Sequence, residues 1–194
     1  DTTWSRGLGD VYKRQDMEFV HRAQPGAVSI TQSSELGTVY SPDEVSALAE
    51  VAHANNLALH MDGARLSNAA ASLHVPVRAF TVDAGVDLVS FGLTKNGAMA
   101  AESVIVLNGD RVQGVDFLRK TSMQLASKMR FLSAQFVAML TDDLWLRSAG
   151  HANAMACRLQ DGVGDLSGVT ITQSVDANAV CLLYTSPSPR DQVV

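Results

Sequence analysis

The hydrophobic pattern changes period several times along the chain, and each change predicts an element. Val28-Ser29-Ile30-Thr31 reads as a short strand and is followed by a polar, glycine-bearing loop over 32–40. At Ser41-Pro42-Asp43-Glu44 the start signals of a helix coincide: a hydroxyl at the N-cap, proline in the first turn and glutamate three residues after the cap. Val45, Leu48, Ala49, Ala52 and His53 continue at helical spacing until Asn55-Asn56 supply a stop. Leu57-Ala58-Leu59-His60-Met61 returns to a strand that ends in Asp62-Gly63-Ala64-Arg65, and 66–73 is helical. Residues 86–91 form a further strand, and so do 103–107, which stop at Asn108-Gly109.

From Asp110 onward the pattern turns helical. Met129, Leu132, Phe136 and Leu140 make one stripe, and 144–159 continues in a second helix. Apolar stripes at this spacing are core or subunit contact rather than a cofactor box. Val169-Thr170-Ile171-Thr172 begins a strand of a second, smaller domain. Strands alternating with helices predict an α/β fold with a mostly parallel sheet flanked by helices over 16–142, then a connecting helix and the start of a small domain over 143–180.

Composition narrows the partners. The chain has 194 residues, 46% hydrophobic and 18% charged, enough to bury an ordinary core. A formal charge of −5 and the lack of a Lys/Arg run argue against nucleic acid and anionic membranes, leaving small molecules. Neither a charge-free stretch of roughly 18 residues nor a signal-peptide apolar region is present, so a soluble, cytoplasmic protein is expected.

The two ends share an origin. Residues 5–15 and 181–191 can be encoded by complementary strands of one DNA sequence, which resembles a transposon-end adapter used in DNA library preparation. The expectation is a non-native extension over 1–15, a native internal fragment over 16–180 and a second non-native extension over 181–194. Cys157 is then the one native cysteine, which rules out an intramolecular disulfide in that segment and fits a reducing compartment. Beside Met155, Ala156 and Leu159, its expected role is a small core residue.

Ligands of open α/β sheets gather beyond the carboxyl ends of the strands, and Asp62 and Lys95 both fall there. Their separation is about one strand-helix-strand repeat, which puts both at one edge of the sheet. A lysine desolvated by apolar neighbours is a neutral amine able to form a Schiff base with an aldehyde. If the aldehyde is pyridoxal phosphate, an aspartate is needed to keep the ring nitrogen protonated, and Asp62 fits that demand. Ser90, Thr94 and the amides around Gly92 are suited to phosphate. Plainer readings stand beside these: Lys95 as a surface lysine, Asp62-Gly63 as a turn, Arg65 as a solvated or ion-paired helix residue, and His60 as a hydrogen-bonded core or site-wall histidine.

His60-Met61-Asp62-Gly63-Ala64-Arg65-Leu66, together with Ser90-Phe91-Gly92-Leu93-Thr94-Lys95-Asn96-Gly97, resembles the low-specificity L-threonine aldolases, pyridoxal-phosphate enzymes of the aspartate-aminotransferase fold. The likeness includes Gln32-Ser33-Ser34-Glu35-Leu36-Gly37-Thr38, Ser127-Lys128-Met129-Arg130-Phe131 and Asp143-Leu144-Trp145-Leu146-Arg147. The resemblance implies that Lys95 bonds the cofactor, that Asp62 pairs with its pyridine nitrogen, and that Arg65 helps to bind the substrate carboxylate through its bidentate fork. It further implies aldol cleavage of L-threonine and related β-hydroxy-α-amino acids to glycine and an aldehyde, in a homodimer or homotetramer. Lys128 and Arg130 are weaker candidates for contacts to the phosphate or a neighbouring subunit. Leu93 stands where many relatives have glycine.

The family's upstream glycine-rich phosphate loop, its ring-stacking histidine and its downstream carboxylate arginine have no match in 16–180. The chain as written is therefore expected to be inactive or nearly so. The alternatives are another lyase of the same fold, such as a β-eliminating amino-acid lyase, and a cofactor-free α/β binding module.

Overall fold

A computed structural model of the chain describes residues 20, 21 and 23–184. The expected extension over 1–15, and positions 185–194 of the other, lie outside the described residues.

Three parallel strands, β1 (Ala27–Thr31), β2 (Ala58–Gly63) and β3 (Leu88–Gly92), lie side by side, and β4 (Glu102–Val106) closes the sheet antiparallel to β3. The expected mostly parallel sheet is therefore present. Two crossovers make the parallel pairs: α1 (Pro42–Ala54) between β1 and β2, and α2 (Leu66–Leu73) with the 3-10 turn Val77–Phe80 between β2 and β3.

Helix α1 forms where the start signals predict it. The Ser41 side chain accepts from the Glu44 N–H, and the Glu44 carboxylate accepts from the Ser41 N–H, a reciprocal capping box. Its core face buries Val45, Ala49 and Ala52. These meet one face of the sheet, where Ile30, Leu59, Met61, Val89 and Phe91 form the centre of the core. Each large apolar side chain buried here contributes about 1.5–3 kcal/mol. The strand period of two sends the alternate residues, Ser29, Thr31, His60, Asp62 and Ser90, to the other face.

After β4 come α3 (Val115–Thr121), α4 (Arg130–Leu140) and α5 (Leu144–Val163). Helix α5 packs on α2 through a reciprocal amide pair: Asn68 Nδ2 donates to Asn153 Oδ1 at 3.0 Å, and Asn153 Nδ2 donates to the Asn68 carbonyl at 2.9 Å. The expected strand near 169 is β5 (Val169–Ile171). It pairs antiparallel with β6 (Leu182–Tyr184), which falls in the stretch that the sequence reading assigns to the second extension.

Cys157 corrects an expectation: it is exposed rather than core. The buried side of α5 runs through Ala149 and Ala156, and position 157 turns roughly 100° away from Ala156, toward the strand of chain at Val175. Among the described residues no helix is long and apolar enough to cross a membrane.

Candidate active site

The register aligns Thr31, Asp62 and Ser90 across the three parallel strands, so their following loops leave the sheet at one edge. Asp62 is half-buried at the end of β2. Its Oδ1 accepts from the Ala64 N–H at 3.0 Å, turning the chain toward α2, and its backbone carbonyl accepts from the Gln32 N–H at 2.8 Å. Asp62 thus forms the turn of the plainer reading, and its Oδ2 has no hydrogen-bond partner among the described residues. Gly63 is required by a close approach. A Cβ there would lie 2.9 Å from the Ser90 carbonyl oxygen, closer than a side chain tolerates.

Lys95 sits in the 3-10 turn Thr94–Asn96, just beyond β3. Both Thr94 and Lys95 are exposed, so the apolar enclosure expected around the amine is not supplied by the described residues. The backbone beneath them is fixed firmly. Leu93 is fully buried in the core, its N–H donating to the Ala101 carbonyl at 2.8 Å, which gives the leucine at this position a packing role. Asn96 is buried, and its Nδ2 donates to the Trp145 carbonyl at 2.8 Å while its own carbonyl accepts from Ser148 Oγ at 3.3 Å. Gly97 closes the turn at φ +113°, a conformation that L side chains rarely adopt. Trp145 also packs edge-on to Phe91, with centroids 6.2 Å apart. The start of α5 is thus the buttress of the lysine turn, a role that no local pattern announces.

Arg65 stands at the start of α2 and is ion-paired. Its Nη1 donates to Glu35 Oε1 at 2.9 Å, and Glu35 comes from the loop after β1. The hydrogen bond from Arg65 and its charge hold the Glu35 carboxyl below the usual carboxylate range; slight burial opposes this, and the Lys95 charge adds to it. Glu35 was visible in the motif around Gly37 but had no role assigned to it.

Ser90 does not stand free. Its Oγ bonds His60 Nε2 at 2.9 Å, and His60 Nδ1 bonds Ser29 Oγ at 2.8 Å, so a hydrogen-bonded chain crosses all three parallel strands on the polar face. His60 is the hydrogen-bonded wall histidine of the plainer reading. Lys128 and Arg130 are exposed at the start of α4, where the Arg130 guanidinium lies 5.1 Å from the Phe131 ring centroid.

The chain that carries this edge, with Asp62 at the end of β2, Arg65 just after it and Lys95 after β3, is similar to known proteins. A family model described as beta-eliminating lyase matches residues 7–186. Over 176 residues the chain is 45% identical to the low specificity L-threonine aldolase of Pseudomonas aeruginosa, and 44% identical to that of a Pseudomonas species. Each match covers 91% of this chain and 50% of the relative, so the chain spans about half the length of the curated relatives it matches. The solved structure of Leishmania major threonine aldolase superposes with a TM-score of 0.76 at 26% identity, covering 89% of this chain and 51% of that one. With sequence and fold in agreement across nearly its whole length, this chain belongs to the beta-eliminating lyase family.

Proposed function

We propose that the chain is part of a pyridoxal-phosphate-dependent L-threonine aldolase that cleaves L-threonine and related β-hydroxy-α-amino acids to glycine and an aldehyde. The observation that carries this reading is the convergence of Lys95, Asp62 and Arg65 on one sheet edge. The donor set fits the cofactor: among the described residues, the Lys95 amine has no bonding partner, the Asp62 carboxylate has one free oxygen, and the buried Ser33 Oγ just beyond β1 has no partner.

In this reading Lys95 would hold the cofactor through its amine. Asp62 keeps a proton on the ring nitrogen through its free oxygen. Arg65 binds the α-carboxylate, which orients the Cα–Cβ bond. Bound pyridoxal phosphate supplies the electron sink for the pair left when that bond breaks. The Ser29–His60–Ser90 chain holds the strands in register beneath.

A homo-oligomer belongs to the same proposal, supported by Phe117 and Phe131, which are 74% and 62% exposed on α3 and α4. A reducing, cytoplasmic setting is supported by the unpaired thiol of Cys157.

The test uses the full-length enzyme that contains this chain. It should release acetaldehyde and glycine from threonine and show a visible absorbance band with pyridoxal phosphate. Lys95→Ala should abolish the band and lower turnover by more than about a thousandfold. A band unchanged in that variant would overturn the reading, and release of ammonia and a keto acid would point to β-elimination instead.

A further inference from the structure

Arg65 already holds a carboxylate. Glu35 Oε1 lies 2.9 Å from Nη1, and no other acceptor for the guanidinium is found among the described residues. The arginine side chain is 20% exposed and the glutamate 72%, so a half-sheltered guanidinium meets an acid standing in the open.

This is no chance meeting of two flexible side chains, because the loop that presents Glu35 is braced along its length. Gln32, fully buried, uses its side-chain amide as a strand would use its backbone: Nε2 donates to the Tyr40 carbonyl at 2.8 Å, and Oε1 accepts from the Tyr40 N–H at 3.0 Å. Next to Glu35, Ser34 Oγ accepts from the N–H groups of Leu36 and Thr38 at 3.3 and 3.2 Å, and Ser34 N–H donates to the Thr38 carbonyl at 2.9 Å. The Val39 N–H donates to Asp176 Oδ2 at 3.2 Å, tying the loop to the chain after β5. The positive charge of Lys95 also bears on the Glu35 carboxylate, so Glu35 stands near two of the three groups of the proposed site.

We infer that Glu35 is an internal stand-in for the α-carboxylate of the substrate, occupying Arg65 while the site is empty and yielding the guanidinium when an amino acid binds. This rests on the proposed role of Arg65. Glu35 keeps the guanidinium extended toward the sheet edge and, in the same act, competes with every carboxylate that must bind there. Since an exposed ion pair is weak, the competition costs about twofold to fivefold in affinity. A stand-in of that strength orders the arginine without blocking substrate.

The experiment is glycine binding to the full-length enzyme loaded with pyridoxal phosphate, followed by calorimetry, with steady-state threonine cleavage alongside. Glu35→Gln should lower the Kd for glycine about twofold to fivefold and lower KM for threonine by a similar factor, with kcat unchanged. Glu35→Asp, which keeps the charge on a shorter stem, should fall between the two. Arg65→Ala should weaken glycine binding roughly tenfold to a hundredfold, and adding Glu35→Gln to it should change nothing further. A Glu35→Gln enzyme that binds glycine as the parent does, or more weakly, overturns the stand-in while leaving Arg65 as the carboxylate site. Unaltered glycine binding in Arg65→Ala instead overturns the role of Arg65 itself.

Discussion

At the residue scale, Asp87 shows how much one buried carboxylate can hold. Its side chain is fully buried at the amino end of β3, on the opposite edge of the sheet from Lys95. Oδ2 accepts from the Leu59 N–H and from His53 Nε2, each at 2.8 Å, and Oδ1 accepts from Asn108 Nδ2 at 2.8 Å. One residue therefore joins α1, the start of β2 and the chain after β4. Burial pushes its carboxyl up, but the bonds from Leu59, His53 and Asn108 outweigh that and hold it below the usual carboxylate range. Asp87→Ala strands these donors and should cost about 3 kcal/mol in unfolding free energy by denaturant titration. The sign of the pH effect follows. A folded value below the unfolded one of about 3.9 means that the stabilisation is present above about pH 4 and is lost as pH falls through the lower, folded value. The difference in stability between the parent and Asp87→Asn should therefore shrink with acid below about pH 4. A difference that stays constant to pH 2 would contradict it.

In the sequence Asp87 is simply one position of the strand expected over 86–91. A hydrophobic period reports which face a residue occupies and says nothing of which distant donors converge on it. Glu35 illustrates the same limit, since Arg65 lies 30 residues away in the chain. Asp62 and Lys95 were legible because a parallel crossover repeats at a regular interval, so sequence spacing alone brings their ends together.

At the scale of elements, the local signals worked where the cause is local. The capping box at Ser41 sets the start of α1, and α2 spans 66–73 as its pattern predicts. Helix α5 runs beyond the expected 159 to Val163 and stops at Gly164, its C-cap. The turn that carries Lys95 depends on an element fifty residues later. Asn96→Ala removes the bond to the Trp145 carbonyl and should lower stability by about 1–2 kcal/mol. In the full-length enzyme it should also slow threonine cleavage, since a misplaced amine loses its attack geometry. An unchanged kcat with lowered stability would limit Asn96 to a packing role.

For the whole molecule, the chain spans about half of its curated relatives, and its described residues leave Lys95 and Thr94 open to water. Aldehyde and carbanion chemistry needs water excluded. The 194-residue chain made alone should therefore release no acetaldehyde from threonine under conditions where the proposed full-length aldolase does. Cleavage by the isolated chain at a comparable rate would overturn this. Phe117, Phe131 and Val137 add exposed apolar surface along α3 and α4.

What the sequence by itself determined is what neighbouring residues settle between them: the helix caps, the strand period that separates an apolar from a polar face, and the repeat that carries Asp62 and Lys95 to one edge. Only the tertiary structure decided that Glu35 holds Arg65, that Asn96 hangs from Trp145, that Asp87 joins three elements, and that Cys157 faces outward. Those outcomes depend on the register between strands and on the docking of α5. Both are fixed by contacts distant in sequence, in which each partner taken alone has an equally satisfactory place in water.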